Sequence, residues 1–152
     1  MVDTPTMKRF RFPLTRLLRL RAHEERAARR ALADALAEVA RIERRMLAID
    51  ADLAALAAED PTARAGRALV EALANGLSGE RRHLGGKLAL AEQTLARARA
   101  VYQQKRTDVE ALVRLRRRRR DEWLTTVQRE EQAELDEAAR MRFAARQREV
   151  AR

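Results

Sequence analysis

The sequence contains no cysteine. Disulfide staples and thiolate metal sites are therefore excluded. Aromatics make up only 3% of the residues, so large rings are too few to fill a thick core. No apolar run approaches the ~20 residues of a membrane span. Near the start, Arg16, Arg19 and Arg21 interrupt every apolar stretch, which leaves no signal-peptide core. A cytoplasmic protein is expected. The residues of catalysis are equally scarce. Ser78 is the single serine and has no GxSxG setting. His23 and His83 lack ligand-spaced partners, and His23 beside Glu24 and Glu25 reads as a helix-surface residue. Gly76 and Gly79 are not followed by the Lys-Ser/Thr of a phosphate loop. Carboxylates are plentiful, but general acid work needs a cleft that shifts their pKa. No enzyme activity, cofactor or metal is expected.

Proline and glycine are also few, and their placement is informative. Pro5, Pro13 and Pro61 are the only prolines, and Gly66, Gly76, Gly79, Gly85 and Gly86 the only glycines. Both types disfavour helix interiors. The two long stretches without them therefore read as two helices. Pro13 suits a first helical turn. Asp60, just before Pro61, is pushed away from helical angles. The expected organisation is a flexible N-terminus over 1–12, helix one over 13–60, a connector with interrupted helix over 61–86, helix two over 87–146 and a frayed end over 147–152. Gly76, Gly79, Gly85 and Gly86 suggest a hinged start to helix two.

What is abundant is alanine, leucine, arginine and glutamate, with 37% charged residues, a long-helix or coiled-coil composition. In helix one the apolar residues Leu32, Leu36, Val39, Ile42, Met46, Ile49, Leu53 and Leu56 form a heptad seam with one irregularity between Val39 and Ile42. In helix two, Leu84, Leu88, Ala91, Leu95, Ala98, Tyr102, Lys105, Val109 and Leu112 alternate by four and three. That register continues through Arg116, Arg119 and Trp123. At ~1.5 Å per residue helix one spans about 70 Å, and helix two clearly more. The fold class is all-α: a long two-helix antiparallel coiled coil, an αα-hairpin with a longer second helix. A fold-back near 60–66 places Leu14 beside Leu112, so helix two runs out of partner where its arginines begin.

The formal charge is +10 and the pI about 11.3, which calls for an acidic partner. Arg116, Arg117, Arg118, Arg119 and Arg120 are the strongest charge feature. They encircle the helix, either as a solubilising surface or as a contact for an acidic protein. Nucleic acid is disfavoured, because stacking platforms and reading motifs are missing. Trp123 either packs near Phe10, Phe12 and Leu14 or is left exposed as an interaction site.

The opening KRFRFPLTRLLRLRAHEERAARRAL, the stretch LALAEQTLARARAVYQQKRTDVEALVRLRRRR and the ending REEQAELDEAARMR together resemble the flagellar export protein FliJ family. The ending carries Leu135, Asp136 and Glu137. The resemblance implies a fold like a rotary-ATPase central stalk. It implies a protein that promotes assembly of the flagellar export ATPase hexamer, links it to the membrane export gate and contacts export chaperones. The location implied is cytoplasmic, peripheral at the inner membrane. The positions matching the family's gate contact are Leu73, Leu77, Glu80 and Leu84. Arg116–Arg120 with Trp123 are the expected contact for the ATPase ring. The equivalent stalk of a virulence-type secretion system, a basic nucleic-acid-associated coiled coil and a structural scaffold remain as alternatives.

Overall fold

The structure is a computed structural model that describes residues 9–58 and 64–150. It consists of helix α1, Thr15–Ala58, and helix α2, Arg64–Val150, packed antiparallel with the second much the longer. No strand occurs among the described residues. Residues 1–8, 59–63 and 151–152 lie outside the description, and with them the Pro61 junction, most of the expected N-terminal tail and the last two residues of the expected frayed end, whereas residues 147–150 continue α2 as helix. Two compact units are distinguished. One joins residues 1–20 to 108–152, and the other comprises residues 21–107.

α1 begins at a proline turn. The Phe12 carbonyl accepts the Thr15 N–H at 3.2 Å and the Thr15 hydroxyl at 2.6 Å. Pro13 occupies the second position of this turn, where its fixed φ is already correct. Phe12 is buried, with 7% exposure.

In the unit of residues 21–107, α1 shows an unbroken heptad stripe. Residues 21, 25, 28, 32, 35, 39, 42, 46, 49, 53 and 56 are all buried or half-buried, alternating by four and three. Ala28, Ala35, Ile42 and Ile49 are its most enclosed members. This corrects one seam assignment. Leu36 is 44% exposed, and Ala35 takes its place. The apparent irregularity before Ile42 disappears with that exchange. A bulky residue on the flank outweighed a small one on the axis in the sequence pattern, but the helix repeat follows the axis. Val39, Met46 and Leu53 are half-buried, as a seam requires.

On α2 the expected stripe holds throughout that unit. Leu84, Leu88, Tyr102 and Lys105 are half-buried, and Leu95 is buried. Lys105 is tolerated there because its ammonium meets Glu24 of α1 at 2.9 Å. A polar pair at a seam position restricts register at some expense in stability.

The interrupted connector is also corrected. α2 is continuous through Gly76, Gly79, Gly85 and Gly86, and no described glycine takes a positive φ. Each glycine weakens a helix by about 0.5–1 kcal/mol relative to alanine. Packing of the seam against α1 outweighs that deficit, as tertiary contacts routinely do. Two ion pairs across the helices lie in the same stretch. Arg45 holds Glu80 through two hydrogen bonds of 2.8 and 3.0 Å. Arg81 grips both carboxylate oxygens of Asp50.

Candidate functional site

Within the unit that contains both chain ends, the apolar stripe of α2 runs through Val109, Leu112, Leu115, Trp123 and Val127, all half-buried. Leu115, rather than Arg116, continues it, and Arg119 is exposed. The expected seam positions Arg116 and Arg119 are therefore not covered: Leu115 takes the place of the first, residues 116–122 are all exposed, and Trp123 returns to the expected register. Two successive spacings of three, from Val109 through Leu112, place Leu115 on the covered side, and the arginines are left outside.

Trp123 has an internal partner after all. Its ring centroid lies 5.8 Å from that of Phe10, with the planes at 49°, a tilted geometry that aromatic pairs favour. The N-terminal arm thus meets α2 at Trp123, beyond Arg116, the α2 residue that shares a cleft with Thr15 at the start of α1. Phe10, Arg11, Phe12, Thr15 and Arg116 line a shallow cleft there. The tight Phe12 turn explains the arm's direction. A Phe-x-Phe pair in the sequence carried this signal.

All five residues Arg116, Arg117, Arg118, Arg119 and Arg120 are exposed. Arg119 has a carboxylate partner, Glu122, at 3.3 Å. Arg116, Arg117, Arg118 and Arg120 have none among the described residues. Val113, Arg116, Arg117, Arg120, Asp121 and Leu124 together line an open depression on one side of α2. Val113 is 50% and Leu124 39% exposed.

The second candidate surface lies near the start of α2, in the other unit. Leu73, Leu77, Glu80 and Leu84 share one helix face by their spacing. Leu73 is 50% exposed, whereas Leu77, Glu80 and Leu84 are half-buried. Glu80 is engaged by Arg45, whose hydrogen bonds hold its carboxyl below the usual carboxylate range. Hydrogen bonds from Arg81 do the same for Asp50, and those from Lys105 and then Arg21 for Glu24. Leu69, 63% exposed, adds open apolar surface one turn before Leu73.

No described helix is long and apolar enough to cross a membrane. Among the described residues no group of acidic and histidine side chains is arranged to hold a metal ion. The family whose model matches this chain is described as Flagellar FliJ protein, over residues 10–148. Neither a curated protein nor a solved structure matches the chain.

Proposed function

The chain belongs to the flagellar FliJ family, and from that premise we propose that it is a non-enzymatic stalk of the flagellar type III export apparatus. It acts in the cytoplasm, peripheral at the inner membrane. It promotes assembly of the export ATPase hexamer, couples that ring to the membrane export gate and meets export chaperones. The observation that carries the reading is the family match over nearly the whole chain, joined to a two-helix antiparallel fold with a longer second helix. The basic charge of +10 suits a partner with an acidic lining. Arg116–Arg120 and Trp123 are assigned to the ATPase ring, with Trp123 acting by fixing the arm through Phe10. Leu73, Leu77, Glu80 and Leu84 are assigned to the gate, and Leu73 offers the most open apolar area of the four.

A stalk that binds only the assembled ring shifts the assembly equilibrium by mass action. Titrating the purified chain into its cognate export ATPase, at subunit concentrations where the ring is partly dissociated, should raise ATP turnover and the hexamer fraction together. Unchanged rates and unchanged assembly across the titration would overturn the proposal.

A further inference from the structure

The five consecutive arginines differ in what surrounds them. At 3.6 residues per turn, Val113, Arg116, Arg117, Arg120, Asp121 and Leu124 fall on one stripe of α2, and they line one depression. Arg118 and Arg119 project roughly 130° to either side of its centre. The stripe has an aliphatic residue at each end, both exposed. Between them stand three arginines without carboxylate partners among the described residues. From 113 to 124 it covers about 16 Å, or three helical turns.

We propose that this stripe is a docking face for an acidic amphipathic helix of a partner protein, with carboxylates at its centre and an apolar residue at each end. The identity of that partner as the export ATPase rests on the stalk reading above. Charge complementarity selects the occupant. Guanidinium forks bind carboxylates in pairs, and the aliphatic ends receive side chains that a purely ionic contact leaves in water. Nucleic acid fits less well. Trp123, the chain's one tryptophan, is paired with Phe10 in a tilted contact rather than open to a base.

Two charge-matched variants separate a face from a diffuse basic field: Arg117→Gln/Arg120→Gln on the stripe and Arg97→Gln/Arg99→Gln at exposed positions of α2 away from it. Each removes two charges and keeps a good helix former, and circular dichroism checks that the helices persist. The first probe is a synthetic helical peptide with glutamates at its centre and leucine at each end. The face requires the 117/120 variant to slow peptide association roughly tenfold at low salt, with the 97/99 variant close to the unaltered chain. Val113→Ser/Leu124→Ser should speed dissociation and leave the salt dependence intact. Equal losses in the two arginine variants overturn the face. So does tighter binding of a single-stranded oligonucleotide than of the peptide at physiological salt, lost in the 117/120 variant. The same variants are then titrated into the cognate export ATPase. Peptide discrimination without any ATPase engagement leaves the face standing and defeats the stalk reading. ATPase stimulation with no discrimination in either probe defeats the face alone.

Discussion

Ala35 and Leu36 show how little separates a seam residue from a surface one. The two are adjacent, yet Ala35 is 9% exposed and Leu36 44%. Leu36→Ser should therefore change stability by no more than about 0.5 kcal/mol. Leu95, 7% exposed, is the opposite case. Leu95→Asp places a carboxylate without a partner in the seam, and a loss on the order of 3 kcal/mol is expected. Urea melts of both variants check the assignment, and comparable midpoints would refute it. A second residue-scale test uses Trp123. Phe10→Ala removes the ring packed against it, so tryptophan emission should shift to the red and become easier to quench with iodide. Emission identical to that of the unaltered chain would mean that the arm does not lie on α2 in solution.

Within α2, the four glycines 76, 79, 85 and 86 meet nothing where a Cβ would stand. Packing therefore does not require glycine at these positions. Gly76→Ala and Gly86→Ala should each stabilise the protein by about 0.5–1 kcal/mol. In the unaltered chain the amides of residues 76–86 should exchange faster than those of 88–109, because local opening begins where helix propensity is lowest. Equal protection, with neutral alanine variants, would show that the glycines carry no deficit. The ion pairs in this unit add a pH dependence of definite sign. Glu24, Asp50 and Glu80 have folded pKa values below their ordinary ones. Their contribution is present above the ordinary carboxylate range and is lost as pH falls through the lowered folded values. All three are substantially exposed, so the effect is small and screened by salt. Glu80→Gln should flatten the acid limb of the melting-temperature profile. An unchanged limb would show that the Arg45 pair contributes nothing.

At the scale of the whole molecule, seam packing supplies stability, and the proposed recognition rests on charge. Among the described residues only six apolar side chains, those of Phe12, Ala28, Ala35, Ile42, Ile49 and Leu95, are buried, and Ile49 is the large one with no exposure. Fully burying a side chain such as Ile49 is worth about 1.5–3 kcal/mol, and no layer stands behind the seam to add more. A surface this charged associates through its electrostatic field. The isolated chain should hydrolyse no ATP. Its association with the export ATPase should slow steeply as salt rises. Hydrolysis by the purified chain, or binding indifferent to salt, would contradict this account.

Composition and periodicity alone determined that two helices fold back on each other with the second longer, because a helical repeat and the absence of breakers are local properties. They also located most of the seam, from Ile42 to Leu56 and from Leu84 to Leu112. Tertiary structure decided what local patterns leave open. It chose Ala35 over Leu36 and Leu115 over Arg116, since burial depends on the axis of contact and not on a residue's own hydrophobicity. It carried α2 through four glycines, since packing against α1 exceeds a backbone deficit of about 1 kcal/mol per residue. It also brought Phe10 onto Trp123, a contact between residues far apart in the chain, which the turn at Pro13 directs and no periodicity records.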